Sequence, residues 1–224
     1  MNNSYDKGRV LFFVLILIFS DIVLLHAGQR EGNYLSDTGR FKQKRVPVFA
    51  IKTNVLYWIG LTSEFNHTAF TPNLTLEYFI SQRWSIQASG MYAYWNSGHE
   101  RTFWGISGYS VEPRCWLKAK NNAGFYVGAF AQIGDYDVRN KSKQASSPGQ
   151  TENYTGKYRQ AGVSAGYYWT IYKGLGVETG LRAGYRDSDA REYEWSDPDK
   201  FYIGERNADK WGVMEWNISL AYRF

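Results

Sequence analysis

The chain has 224 residues, of which 44% are hydrophobic and 21% charged, and its formal net charge is +5 at pH 7. A mean hydropathy of -0.47 excludes a bundle of membrane helices, and the scatter of lysines and arginines argues against nucleic-acid binding. The single cysteine, Cys115, excludes both an intrachain disulfide and a multi-thiolate metal site. Aromatic residues reach 18%, a richness typical of membrane barrels, whose outer walls carry aromatic girdles.

The N-terminus has the organisation of a secretory signal peptide. Lys7 and Arg9 precede an apolar run that Asp21 interrupts and the small residue Ala27 ends. We expect cleavage after Ala27, and the alternative is an uncleaved anchor. The polar, aperiodic segment that follows predicts a periplasmic lead-in. The expected organisation is a signal peptide at 1–27, a lead-in at 28–47 and a barrel at 48–224.

Segments of alternating polarity recur from Val48 onward and predict eight strands. They lie at about 48–58, 70–80, 83–96, 104–118, 123–137, 157–171, 174–187 and 210–224. The connections between them alternate between long and short, as in a membrane barrel with short periplasmic turns and long outward loops. The predicted fold class is all-β, an eight-stranded up-and-down antiparallel transmembrane β-barrel. A soluble sandwich or a lipocalin-like barrel is the alternative.

The last predicted strand has one apolar and one polar face. Its apolar positions are Met214, Trp216, Ile218, Leu220, Tyr222 and Phe224, and they alternate with Glu215, Asn217, Ser219, Ala221 and Arg223. The bilayer would cover the apolar face. The strand at 123–137 is apolar on both faces and cannot be oriented, and Pro113 predicts a bulge or bend in the strand at 104–118.

Charged residues select the face of each strand that would point into the lumen. The four expected cations are Lys52, Arg114, Arg182 and Arg223, and the four expected anions are Glu77, Glu112, Glu178 and Glu215. Because an eight-stranded barrel is just wide enough for its side chains to fill it, we expect these groups to form an ion-pair network that plugs the lumen. Lys52 with Glu77, and Arg182 with Glu215, are the expected pairs. The alternative is hydration by lumen water.

Three stretches of sequence resemble a known family. They are Ala50-Ile51-Lys52-Thr53-Asn54, Pro72-Asn73-Leu74-Thr75-Leu76-Glu77 and Arg83-Trp84-Ser85. They are similar to the start of a family of Bacteroidota outer-membrane barrels catalogued as domain of unknown function 3575. The resemblance implies an OmpA/OmpX-like barrel in the Gram-negative outer membrane, with periplasmic termini. Leu220, Tyr222 and Phe224 are similar to the C-terminal signal read by the outer-membrane insertion machinery.

The same resemblance implies a structural or interaction scaffold at the cell surface. Some relatives are found beside surface-fimbria genes, so an envelope or fimbrial protein is the expected partner, and lipid surrounds a monomer. Loop four, at 188–209, is acidic and aromatic, and Trp195, Phe201 and Tyr202 form its expected contact surface. Its acids lack the spacing of a calcium loop, so neither a metal nor a cofactor is expected.

A lipid-modifying enzyme and a narrow pore are the alternative functions. Such an enzyme needs a nucleophile, a base and an orienting acid. Outside the signal peptide the histidines are His67 and His99, and His99 lies between Ser97 and Glu100. Residues so close in sequence on a loop seldom form a catalytic triad, so no enzymatic activity is expected.

Overall fold

Eight strands close into a barrel in this computed structural model, which describes residues 48–60, 70–97, 102–117, 123–140, 151–196 and 199–224. The elements are β1 (Phe49–Asn54), α1 (Val55–Trp58), β2 (Asn73–Phe79), β3 (Trp84–Ser97), β4 (Thr102–Trp116), β5 (Gly124–Asn140), β6 (Thr151–Tyr172), β7 (Leu175–Ser196) and β8 (Asp199–Arg223). Each strand is antiparallel to the next, and β1 closes on β8. The all-β, eight-stranded antiparallel barrel expected from the sequence is confirmed. The signal peptide and the lead-in fall outside the described residues.

The two ends of the barrel differ. At the terminus end, the Val48 amide donates to the Phe224 carbonyl at 3.1 Å, and short turns join the strands. One of these is Lys173-Gly174, where φ is +36° and +97° respectively, the left-handed pair that a two-residue hairpin favours. At the opposite end, which we call the hairpin end, β5 to β8 extend far beyond β1 and β2. No helix in the described ranges is long and apolar enough to cross a membrane.

Side chains alternate between an inner and an outer face along the strands, as the period of two requires. β5 is now oriented: Tyr126 and Phe130 are buried inside, whereas Phe125, Val127 and Ile133 are exposed outside. The inner face of β5 carries aromatic rings and an amide, so the hydrophobicity of the sequence did not show which face points inward.

One local expectation about strand geometry is wrong, and a second is contradicted in part. Met214 was expected on the outer face with Trp216, but its side chain is buried at 4% exposure. The β7–β8 register shifts next to Arg182, so β8 carries one extra residue there, and such a bulge interrupts the period of two. At Pro113, where a bulge or bend was expected, there is no bulge, because the β4–β5 register is the same on both sides; the proline side chain is exposed.

The strands also end at other residues than expected. β1 stops at Asn54, whose side chain accepts from the Leu56 amide and caps the one-turn helix α1. The described parts of the predicted loops at 138–156 and 188–209 are continuations of β5 to β8, and residues 141–150 and 197–198 lie outside the described residues. Trp195, Phe201 and Tyr202 therefore belong to the β7–β8 hairpin instead of a loop, with Trp195 opposite Lys200. The polar residues around them pair between the strands equally well, because backbone hydrogen bonding between strands does not require an apolar face beyond the core.

Inner glycines make room for large rings on neighbouring strands. A Cβ built on Gly180 would lie 2.5 Å from the Tyr126 hydroxyl and 2.7 Å from Asn217 Oδ1, whereas one built on Gly204 meets nothing within 4 Å. The Tyr126 ring therefore depends on the missing side chain at Gly180.

Replacing Gly180 with Ala is expected to lower the free energy of unfolding by about 1–3 kcal/mol, because the added methyl group overpacks the interior. Urea titration followed by tryptophan fluorescence measures the change. Gly204→Ala is the matched control and is expected to be neutral or slightly stabilising. Equal stability of the two variants would contradict the proposed packing.

Candidate functional site

Seven charged side chains form one continuous chain of alternating sign inside the barrel. In order they are Glu77, Lys52, Glu178, Arg114, Glu112, Arg182 and Glu215. Lys52 Nζ lies 2.6 Å from Glu77 Oε2 and 2.5 Å from Glu178 Oε2. Arg114 contacts the next two carboxylates: its Nη1 lies 2.8 Å from Glu178 Oε1, and its Nε lies 2.6 Å from Glu112 Oε1. We call this set the charge ladder.

The outer half of the charge ladder is built around Arg182. Its Nε donates to Glu112 Oε2 at 2.7 Å, and its Nη1 donates to Glu215 Oε2 at 2.7 Å. Both pairs expected from the alternation, Lys52 with Glu77 and Arg182 with Glu215, are thus in contact. The expectation missed the connections across the lumen, which join strands that are not neighbours.

Neutral side chains complete the hydrogen bonding of the buried carboxylates. Ser85 Oγ donates to Glu77 at 2.6 Å, Ser164 Oγ donates to Glu112 at 2.8 Å, and the Tyr126 hydroxyl donates to Glu178 at 3.2 Å. The three carboxylates are at most 1% exposed. An ionised group at this depth is tolerated only when charges and hydrogen bonds replace its lost hydration, and here both are supplied.

Arg223 occupies a different environment from the other seven charges. Its guanidinium carbon lies 3.5 Å from the centre of the Tyr168 ring and 4.8 Å from those of both Phe79 and Trp116. These rings belong to the apolar cluster near the terminus end, which also contains Ala50, Tyr126 and Ala221. Cation–π contacts with several desolvated rings stabilise such a buried guanidinium. Together, the cluster and Arg223 form a floor below the charge ladder.

Above the charge ladder the space changes from closed to open. The gap beside Lys52, Asn54 and Glu215 has a volume of only about 30 Å³, which holds no more than a few water molecules. Beyond it, towards the hairpin end, lies a cavity of about 430 Å³ that we call the vestibule. Its described lining is Tyr57, Gly60, Thr71, Met91, Trp104, Ile106, Gln132, Tyr136, Val138, Tyr158, Gln160, Arg186, Ser188, Ala208 and Met214.

The family of the chain follows from a family model. The model described as a protein of unknown function (DUF3575) matches residues 34–224. The chain belongs to this DUF3575 family. The match begins within the expected lead-in, before the first strand. No curated protein and no solved structure matches the chain.

The remaining candidate residues of this DUF3575 protein are placed as follows. His67, His99 and Glu100 lie outside the described residues, and Ser97 is the last residue of β3. Leu220 and Phe224 are partly buried, and Tyr222 is 3% exposed with its ring 5.1 Å from that of Phe224. Within the described ranges, no three His, Cys, Asp or Glu side chains are grouped as metal ligands.

Arg186 is an inner-face charge that the sequence expectation left out of its four-against-four balance. It follows Glu178 and Arg182 on the inner face of β7, with Gly180 and Gly184 between them. The four-residue spacing of these charges was a usable sequence signal, because every second inner position from Glu178 to Arg186 carries a charge.

Replacing Glu178 with Gln is expected to lower the free energy of unfolding by about 3–5 kcal/mol, because Lys52 and Arg114 lose their shared carboxylate while both stay buried. Urea titration of the refolded barrel measures the effect. Glu205→Gln is the control, since Glu205 forms an exposed pair with Arg191 at 3.6 Å, and such pairs contribute about 0–1 kcal/mol. A loss for Glu178→Gln as small as the control's would show that the charge ladder is not a stabilising network.

Proposed function

We propose that this DUF3575 protein is an integral outer-membrane barrel with a sealed interior, serving as a scaffold that presents its long hairpins at the cell surface. The observation that carries the proposal is the outer wall. Exposed large apolar side chains lie on the outer face of β1 to β6 and of β8, whereas the charge ladder fills the interior. A protein in water would leave this surface uncovered, whereas lipid covers it.

The outer apolar belt has the height of a bilayer core. On β3 it runs from Trp84 to Tyr94, which are each 53% exposed. Ten residues at about 3.3 Å each, tilted by about 40°, span a height of about 25 Å, the height of the apolar band in outer-membrane barrels. On β6 the belt includes Val163, Trp169 and Ile171, at 65%, 47% and 62% exposure.

A row of charged residues marks the edge of the apolar belt that faces the hairpin end. On the outer face of β5, Ile133 is followed by Asp135 and Asp137, and on β7, Tyr185 is followed by Asp187. Arg159 Nε lies 3.2 Å from Asp187 Oδ2 across the β6–β7 pair. Such a row belongs in the polar headgroup region and supports the hairpin end as the outward one, with the termini in the periplasm.

A sealed interior is supported by three layers along the barrel axis. The aromatic floor with Arg223 lies at the terminus end, the charge ladder fills the middle, and only a gap of about 30 Å³ remains above it. Because a hydrated ion needs a continuous polar path, this packing supports a lumen that is closed to ions.

The scaffold role is supported by the extended hairpins. β7 and β8 pair from the terminus end as far as Ser196 and Asp199, and the Tyr193 and Tyr202 rings contact each other at 5.7 Å. A hairpin whose strands are paired and whose aromatic rings pack together is a rigid support for recognition of an envelope or fimbrial protein. The protein acts there by contact, without catalysis.

Val163→Arg places a charge on the belt and is expected to disfavour membrane insertion by about 2–4 kcal/mol. Folding into lipid vesicles, measured by heat-modifiable gel mobility, shows the effect. Ser107→Arg is the control: Ser107 lies beside Asp135 in the polar row, with 3.4 Å between Oγ and Oδ2, and a cost of about 0–1 kcal/mol is expected there. Equal insertion of both variants contradicts a membrane location for the belt.

In planar bilayers the folded protein is expected to produce no stepwise ion current. Glu178→Gln is expected to remain closed as well, because the aromatic floor is unchanged. Reproducible steps that increase with salt concentration would rule out the sealed interior and favour the narrow pore, while leaving the belt test unaffected.

A further inference from the structure

The vestibule combines apolar walls with one charged group. Trp104, Ile106, Val138 and Met214 supply apolar surface, and Arg186 is the charged member of its described lining. A cavity of about 430 Å³ is in the size range of small-molecule sites, which are mostly apolar with a few placed polar groups.

A directed chain of hydrogen bonds holds Arg186 in place. Its Nε donates to Gln160 Oε1 at 2.9 Å, Gln160 Nε2 donates to Gln132 Oε1 at 2.8 Å, and Gln132 Nε2 donates to the Tyr158 hydroxyl at 3.0 Å. Tyr158 in turn donates to the Ser107 carbonyl at 3.2 Å. Gln160, Gln132 and Tyr158 are 5%, 6% and 7% exposed. The side chains that position the guanidinium are thus fixed before any ligand arrives.

The rest of the guanidinium is available to a ligand. Arg186 is half-buried, its carbon lies 5.7 Å from the centre of the Tyr158 ring, and its Nε bond goes to a neutral amide. Within the described chain no carboxylate lies within 4 Å of it as an ion pair. An arginine has further donors on Nη1 and Nη2 in a planar fork that matches a carboxylate.

We propose that the vestibule binds a small organic carboxylate with a flat apolar body, and that Arg186 holds its carboxylate. The Nη groups donate to the carboxylate oxygens, and Tyr136 and Ser188 are further hydroxyl-bearing residues of the lining. The apolar body packs between Trp104, Ile106 and Val138. This inference goes beyond the scaffold role and does not require it.

The test uses 2-naphthoate and its uncharged analogue 2-naphthamide as probes, titrated by calorimetry into the full-length mature barrel in a non-ionic detergent. The unmodified protein is expected to bind one naphthoate at least about tenfold more tightly than the amide, since a hydrogen bond to a charged group in a partly dehydrated site contributes that much. Arg186→Gln is expected to remove the preference for the acid.

Arg159→Gln is the matched control, because it removes the same net charge from an outer-face arginine that is paired with Asp187. It is expected to keep the preference. Equal binding of acid and amide by the unmodified protein overturns the proposal, as does an absence of naphthoate binding up to its solubility limit. Retention of the preference by a folded Arg186→Gln variant, as judged by heat-modifiable gel mobility, overturns it too.

Discussion

The charge ladder is the interaction on which the rest of this barrel depends. Its charged members come from β1, β2, β4, β7 and β8, and the remaining strands donate to it through Ser85 of β3, Tyr126 of β5 and Ser164 of β6. Every strand is therefore tied to one network. A one-residue slip of β1, β2, β4, β7 or β8 would move a charge to the apolar outer face, and a slip of β3, β5 or β6 would remove a hydrogen bond to a buried carboxylate, so the charge ladder specifies the register more strongly than apolar contacts alone could.

An interior filled in this way determines where function can lie. The alternating charges leave little free volume between the aromatic floor and Asn54, so the barrel interior serves to fix the structure. Within the described residues, the larger cavity and the Arg186 guanidinium that has no charged partner lie towards the hairpin end, where β1 gives way to the capped helix α1 and the wall continues on β5 to β8. The tight packing in the middle of the barrel thus leaves the larger described cavity at the hairpin end.

The sequence predicted the barrel well because alternation and charge placement are local signals. It predicted pairs between neighbouring strands, such as Lys52 with Glu77, whose positions are offset by two residues in the β1–β2 register. It could not place Glu178 between Lys52 and Arg114, since contacts across a lumen join strands that no pattern connects. Met214 was missed because one extra residue in a ladder is invisible in a two-residue period. The extended hairpins were taken for loops because polarity on both faces gives no strand signal beyond an apolar core.

The inner face of β7 connects the closed and open parts of the molecule. Glu178, Arg182 and Arg186 recur at intervals of four, and the glycines between them leave room for long side chains and for the Tyr126 ring. Glu178 and Arg182 each contact two opposite charges of the chain. Arg186 continues the series into the vestibule, where its partner is a neutral amide. The proposed carboxylate would complete this series at Arg186, and the apolar wall around the guanidinium is the reason for proposing an apolar body.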